Sequence, residues 1–254
     1  MLKVIAFALL GFLAISSSPL RATSSDPTDE WTTGTWVPPS GLTQVPIWPN
    51  GAPDMTGEPK TAEIISKHDG VNNVTNPTVT IMPPKGKNTG VAMVVFPGGG
   101  FRVLAMGIEG TEICDWITSK GISCVLLKYR VPKSNHYWDD DCHCHITPAV
   151  AWSLQDAQRA IKIVRAEAKE LHVDPSKIGV IGFSAGGYLV VQTSNIFEST
   201  YKRVDSVDDL SSRPDFAIAL YPGHLCTRSG ELFDQTFKVT EQTPPTFLLQ
   251  AWDD

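Results

Sequence analysis

One short motif, at the junction of a strand and a helix, constrains this chain more than any other feature. Gly182-Phe183-Ser184-Ala185-Gly186 has the form G-x-S-x-G, and it lies between a predicted strand over 177–182 and a predicted helix over 185–195. Glycines on both sides of the serine let the strand and the helix approach closely, so the turn has to be tight. We expect the turn to lift the Ser184 hydroxyl above the edge of a sheet on a strained backbone. The alternative is a glycine-rich turn whose serine only caps the helix.

The rest of the chain alternates strands with helices. The predicted strands cover 78–82, 91–96, 122–129, 177–182, 216–221 and 246–251, and the predicted helices cover 109–120, 154–171 and 185–195. Continuous apolar runs such as Val91 to Phe96 are typical of strands that are buried on both faces. Strands that alternate with helices imply right-handed crossovers. The sequence therefore predicts one α/β domain with a doubly wound, mostly parallel sheet.

A second glycine-rich motif follows one of the buried strands. Phe96-Pro97-Gly98-Gly99-Gly100-Phe101 comes directly after the predicted strand over 91–96. Acyl transfer needs hydrogen-bond donors fixed around a developing oxyanion, and the backbone amides of glycines can approach such an oxygen closely. No Lys-Ser or Lys-Thr follows the glycines, which excludes a Walker-type phosphate loop. A flexible loop without a function is the remaining alternative.

The N-terminus has the pattern of a secretory signal over residues 1–22. Lys3 supplies the positive start, an apolar run covers 4–14, and small residues follow up to Ala22. A membrane-spanning helix needs about 20 apolar residues, so this run is too short to stay in a bilayer as a stable anchor. An uncleaved anchor and a buried first strand are the alternatives. We expect a secreted or periplasmic protein.

The segment over 23–59 differs in composition from the rest of the chain. It is rich in threonine, serine, proline and aspartate, with Trp31, Trp36 and Trp48 distributed along it. Proline fixes φ and removes an amide donor, so the segment is expected to be extended or looped rather than helical. The tryptophans indicate that it lies on the surface of an α/β domain that covers 60–254 and is not wholly free.

Charge and cysteine content exclude several classes of function. The formal net charge is −6, and no block of lysine and arginine is present, which argues against a nucleic-acid or anionic-membrane partner. The five cysteines are an odd number, so at least one is free or pairs outside the chain, and export makes disulfides possible. The segment over 139–145 contains two cysteines and two histidines, but their spacing favours an exposed loop near the site over a zinc site. The sequence leaves the disulfide pairing and the oligomeric state open.

Together, the two glycine motifs resemble the α/β-hydrolase superfamily. In that superfamily the loop that binds the oxyanion, which corresponds to the glycine-rich motif after the strand over 91–96, is often His-Gly-Gly-Gly. Here Pro97 stands in the place of the histidine. Further blocks resemble secreted carbohydrate esterases of the acetylxylan and feruloyl esterase type, and they lie at 47–53, 129–132, 154–160 and 212–216. The resemblance covers nearly everything from Ile47 to Asp254.

This resemblance implies a serine esterase that acts on small esters or acetylated plant polysaccharide. It implies Ser184 as the nucleophile that forms an acyl-enzyme, the amides of Gly99, Gly100 and Ala185 as the oxyanion hole, and no cofactor or metal. Some relatives carry xylanase labels, but no paired-carboxylate glycosidase site is visible in the sequence. A peptidase of the same fold and a catalytically inactive binding protein are the alternatives.

The resemblance also implies where the acid of a catalytic triad lies. The segment from Thr243 to Asp254 resembles the strand that delivers the carboxylate, with Asp254 as the better match and Asp253 as its substitute. Triads of this fold follow the chain order serine, acid, histidine, and all six histidines precede Asp254. His224 is expected to line the pocket without a catalytic role. We interpret the chain as a C-terminally truncated hydrolase that lacks its last strand and helix, and we expect it to be nearly inactive by itself because an unactivated serine remains a neutral hydroxyl.

Overall fold

The computed structural model describes residues 30–55, 61–132, 138–139, 144–145, 151–225 and 238–252. The predicted signal over 1–22 and the two predicted acids, Asp253 and Asp254, lie outside the described residues. Among the described residues, no helix combines the length and the hydropathy that crossing a bilayer requires.

Within the described residues, short strands make up most of the elements, and three α-helices accompany them. The strands are β1 (Trp31–Thr33), β2 (Gln44–Pro46), β3 (Ile64–Ser66), β4 (Gly70–Asn72), β5 (Thr78–Met82), β6 (Ala92–Phe96), β7 (Val103–Ala105), β8 (Ser123–Lys128), β9 (Trp138–Asp139), β10 (Cys144–His145), β11 (Ile178–Phe183), β12 (Phe216–Leu220) and β13 (Thr246–Leu249). The helices are α1 (Glu112–Ser119), α2 (Trp152–Ala166) and α3 (Ala185–Thr193), with a π-helical turn over Gly107–Thr111 and a 3₁₀ turn over Ser206–Asp209.

The main sheet has seven strands in the order β13-β12-β11-β6-β8-β5-β2. Neighbours from β13 to β8 are parallel, whereas β5 and β2 pair antiparallel. Every residue of β6, β8 and β11 is buried, as expected of central strands covered on both faces. The predicted α/β fold with a mostly parallel sheet is confirmed. The carboxyl ends of β6, β11 and β12 therefore lie side by side at one edge of this sheet.

A second, antiparallel sheet flanks this edge. Its order is β1-β3-β4-β7, and β7 pairs with β4 so that Leu104 lies opposite Val71. Because β7 begins soon after the triple-glycine segment, that segment is held between the end of β6 and the flanking sheet. The sequence analysis did not predict these strands, which are only three residues long each.

The described part of the N-terminal segment is extended or looped, as predicted. Trp36 and Trp48 are only 3% exposed, so these tryptophans tie the segment to the domain. The Trp48 ring packs edge-on against Tyr201 at 4.8 Å between centroids, and the Arg159 guanidinium lies 5.4 Å from it. This part of the segment packs into the same hydrophobic core as the α/β domain.

Three of the sequence blocks that resemble carbohydrate esterases meet at one buried carboxylate. Asp156 of α2 accepts hydrogen bonds from Trp48 Nε1 and from the Arg130 backbone amide, each at 2.8 Å. Its Oδ1 also lies 2.9 Å from Arg130 Nη2, and both side chains are fully buried. A buried charge pair is tolerated only when its groups are paired and hydrogen-bonded. This network fixes the start of α2 relative to the end of β8.

A disulfide joins α1 to β8. Cys114 and Cys124 are bonded, with their Cα atoms 5.4 Å apart, and both residues are fully buried. The sequence left this pairing open because it depends on how α1 packs against β8.

Candidate active site

The chain bends sharply at Ser184, directly between β11 and α3. The serine has φ 49° and ψ −115°, a region that residues other than glycine rarely adopt. Its amide donates to Leu220 O at 3.0 Å, and its carbonyl accepts from Tyr188 N at 2.9 Å, so neighbouring elements hold the strained backbone. The Ser184 side chain makes no capping hydrogen bond to α3. The structure therefore does not support the helix-cap alternative.

Close packing requires a glycine two residues beyond the serine. A Cβ at position 186 would lie 2.0 Å from the carbonyl oxygen of Phe96, where no side chain fits. This approach brings the N-terminus of α3 against the end of β6. The bend and the triple-glycine segment are therefore neighbours at the same edge of the sheet.

The triple-glycine segment contacts the serine directly. A Cβ at Gly98 would lie 3.1 Å from the Cβ of Ser184 and 2.6 Å from the carbonyl oxygen of Phe183. Gly99 and Gly100 have φ values of 127° and 63°, which favour glycine. The two glycine motifs are thus neighbours in the fold.

The carbonyl groups of this segment bond to β7 and thereby orient its amides. Gly98 O accepts from Ala105 N at 3.1 Å, and Gly99 O accepts from Val103 N at 3.0 Å. In a trans peptide the N–H points away from the C=O of the same plane, so the amides of Gly99 and Gly100 face away from β7. Within the described part of the chain, no group accepts a hydrogen bond from the amide of Gly99, Gly100 or Ala185.

A carboxylate that the sequence analysis missed anchors the start of the segment. Glu109 Oε2 accepts from the Gly98 amide at 2.7 Å, and Tyr129 Oη donates to Pro97 O. Burial raises the pKa of Tyr129 far above its ordinary value, and the nearby charge of Glu109 adds to the increase. Tyr129 therefore remains a protonated donor. No local pattern indicated Glu109, because it meets the glycines only through the fold.

The segment after β12 forms the third side of the site. A Cβ at Gly223 would lie 4.0 Å from Ser184 Oγ. The next residue, His224, has its ring 5.3 Å from Phe101 and 5.7 Å from Tyr188, between centroids. The structure thus places Gly223 beside the serine and the His224 ring in contact with two aromatic side chains.

Strand β13 ends at the same edge as the serine. It pairs parallel with β12 so that Leu249 lies opposite Leu220, and Leu249 O accepts from Tyr221 N at 2.6 Å. The predicted acids, Asp253 and Asp254, follow β13 but lie outside the described residues, so their role stays a prediction. The predicted loop over 139–145 also lies mostly outside them.

The sequence comparisons identify one family and several relatives. Residues 80–219 match the BD-FAE family. An acetylxylan esterase of Xylanibacter ruminicola is 32% identical over 136 residues, which are 53% of this chain and 23% of that protein. An endo-1,4-beta-xylanase B of Butyrivibrio fibrisolvens is 25% identical over 180 residues, which are 64% of this chain and 27% of that protein. The chain thus spans about a quarter of the length of these relatives.

Solved structures of hydrolases have a similar fold. An acetyl ester-xyloside bifunctional hydrolase from Caldicellulosiruptor lactoaceticus has a TM-score of 0.60 and 29% identity, with 81% of this chain and 73% of that chain covered. Esterase 2 of Thermogutta terrifontis, phosphonylated by cyclosarin, has a TM-score of 0.51 and 27% identity, with 68% and 65% covered.

Proposed function

The chain belongs to the BD-FAE family, and on this basis we propose that it is a serine carboxylic ester hydrolase that deacetylates plant polysaccharide. The substrate class follows the acetylxylan esterase and the acetyl ester-xyloside hydrolase that resemble it. The observation that carries the proposal is the contact between the triple-glycine segment and the strained backbone of Ser184. It brings a serine hydroxyl and unpaired amide donors to one edge of the sheet.

In the proposed reaction, Ser184 Oγ attacks the acyl carbon of the ester. The amides of Gly99, Gly100 and Ala185 stabilise the oxyanion, the alcohol of the sugar leaves, and water then releases the acid from the acyl-enzyme. The N-terminus of α3 directs its positive end towards the same oxygen. The reaction needs no cofactor.

The acid and the base of the triad remain proposals. We assign the acid to Asp254, with Asp253 as its substitute. In the chain order of this fold the base follows the acid. All six histidines precede Asp254, so we assign none of them as the base. His224 lies nearest in the chain to the end of β12, and its contacts with aromatic rings support a role in lining the pocket.

Two features support export to an oxidising compartment. The first is the signal pattern over 1–22, and the second is the buried disulfide between Cys114 and Cys124. Such bonds persist mainly in secreted and periplasmic proteins. A substrate in plant cell walls also requires an exported enzyme, because such a substrate lies outside the cell.

The test of the proposed function is turnover by the full-length protein. Hydrolysis of 4-nitrophenyl acetate and release of acetate from acetylated xylan are expected in the wild type and are expected to fall by at least about 10³-fold in Ser184→Ala. Equal rates in both proteins would contradict the proposal and favour a binding protein that retains the fold. Cleavage of peptides but not of esters would favour a peptidase.

A further inference from the structure

We propose that Glu109 is a positioning residue that orients the oxyanion-binding amides and ties them to the strand beyond the serine. The inference rests on the proposed esterase function. Glu109 lies in the π-helical turn over Gly107–Thr111, between β7 and α1. Such turns interrupt regular hydrogen bonding and are frequent at functional sites. Here the turn brings a glutamate carboxylate to the edge of the sheet where Ser184 lies.

The carboxylate of Glu109 bridges two elements that lie on opposite sides of the serine. Its Oε2 accepts from Gly98 N at 2.7 Å, and its Oε1 accepts from Tyr221 Oη at 2.9 Å. Gly98 follows β6 and Tyr221 follows β12, and the strand between them in the sheet is β11, which ends at Ser184. One side chain therefore connects the segments on both sides of the nucleophile.

Peptide planarity explains how this contact acts on the oxyanion site. Pro97 O and Gly98 N belong to one planar peptide group, and they bond to Tyr129 Oη and to Glu109 Oε2. Both ends of that plane are fixed, and the next two peptides are held through their carbonyls by Ala105 N and Val103 N, so all three planes are constrained together. Those two peptides carry the amides of Gly99 and Gly100. Glu109 thus sets the direction of donors that it does not touch.

The same contact selects which amides are free. Because Gly98 N is bonded to a carboxylate, it is not available to an oxyanion, and the bond is stronger than one to a neutral acceptor. The negative charge of Glu109 is itself unfavourable near a developing oxyanion, so its contribution lies in geometry rather than charge. A glutamine at this position can keep the acceptor for Gly98 N and place its amide at Tyr221 Oη. The Glu109→Gln variant therefore separates the effect of geometry from the effect of charge.

The experiment compares four variants of the full-length protein: Glu109→Ala, Glu109→Gln, Tyr221→Phe and, as a control, Glu112→Ala. Glu112 is an exposed acidic residue one helical turn further along, and its removal changes the net charge by the same amount. Three quantities are measured: kcat and KM for 4-nitrophenyl acetate, thermal stability, and hydrogen exchange at the Gly98 amide.

We expect Glu109→Ala to lower kcat by about 10- to 100-fold with KM within about threefold, less than the loss of an oxyanion donor itself. Tyr221→Phe removes one of the two contacts and should lower kcat by less. Glu109→Gln should stay within about threefold of the wild type, and Glu112→Ala should be unchanged. Exchange at Gly98 should accelerate at least about tenfold in Glu109→Ala only, because the bond that protects this amide is lost.

Three results would overturn the inference. They are an unchanged kcat in Glu109→Ala, a rise in KM with kcat unchanged, and an equal loss in the alanine and glutamine variants. If Glu109→Ala fails to fold, the kcat values of Glu109→Gln and Tyr221→Phe decide whether the inference holds. If the wild type shows no turnover that depends on Ser184, the proposed function fails, and exchange at Gly98 still decides whether Glu109 holds the segment.

Discussion

Gly98 packs directly against Ser184: a Cβ on Gly98 would lie 3.1 Å from the Cβ of Ser184. These residues are far apart in the sequence, and they meet because β6 and β11 are adjacent parallel strands that end at the same edge. The proposed chemistry depends on this contact, since it places the glycine amides next to the hydroxyl.

We predict that Gly98→Ala impairs turnover far more than it impairs folding. The new methyl group would collide with the Phe183 carbonyl oxygen, at 2.6 Å, and with Glu109 Oε2, at 2.7 Å, so the segment has to move away from the serine. Displacing an oxyanion donor lowers kcat by about 10²–10³-fold, whereas overpacking costs about 1–3 kcal/mol of stability. Esterase kinetics and thermal unfolding of the full-length protein measure the two effects. Gly34→Ala is the control, because its Cβ meets only Ile65 at 3.6 Å, and a variant at Gly98 with normal kcat would contradict the prediction.

The disulfide between Cys114 and Cys124 is expected to stabilise the domain without taking part in catalysis. It closes a loop between residues ten apart in the sequence, which corresponds to about 2–3 kcal/mol of unfolding free energy. Urea denaturation of the oxidised protein and of a Cys114→Ala/Cys124→Ala variant measures this difference. Equal unfolding midpoints for the two proteins would contradict the predicted stabilisation.

Asp156 is predicted to be the most costly carboxylate to replace in the network around α2. Asp156→Asn removes the negative charge that pairs with the buried Arg130 guanidinium. Breaking such a buried pair lowers the unfolding free energy by about 3–5 kcal/mol. The matched control is Asp115→Asn, which breaks the exposed pair with Lys85 and is expected to cost less than about 1 kcal/mol. Denaturant unfolding compares them, and similar losses in both variants would contradict the account.

Acid sensitivity is predicted for the cluster around Arg159. Hydrogen bonds from Arg159 lower the pKa of Asp205 below its ordinary value of 3.8. A carboxyl group with a lower pKa in the folded state stabilises the fold above the unfolded-state pKa, and this contribution is lost as the pH falls through the folded-state value. The difference in unfolding free energy between the wild type and Asp205→Asn should therefore be largest near neutral pH and should shrink below about pH 4. A difference that does not change between pH 6 and pH 3 would contradict this assignment.

Sequence patterns predicted the parts of the fold that depend on local chemistry. The central strands β6, β8 and β11 were predicted because continuous apolar runs are typical of strands buried on both faces. The bend at Ser184 was predicted because glycines on both sides of the serine let the strand before it and the helix after it approach closely.

The parts that the sequence did not indicate depend on contacts between distant residues. Glu109 is an ordinary acidic residue until the fold brings it to Gly98 and Tyr221. No sequence pattern indicated that the Trp48 indole nitrogen donates to Asp156 in the core, because the two residues are 108 positions apart in the sequence. The three-residue strands of the flanking sheet are too short to show a hydrophobic period.

The most direct test of the central claim is the reaction of the full-length protein with a fluorophosphonate probe, followed by identification of the labelled residue by mass spectrometry. The related esterase of Thermogutta terrifontis is phosphonylated by cyclosarin, so the chemistry is available to a protein of this fold. The account predicts one label per molecule, on Ser184, that is lost in Ser184→Ala and kept in Ser176→Ala, which changes an exposed serine bonded to Asp174. A wild-type protein that takes up no label at Ser184, or a Ser184→Ala variant that is labelled as fast as the wild type, would contradict it.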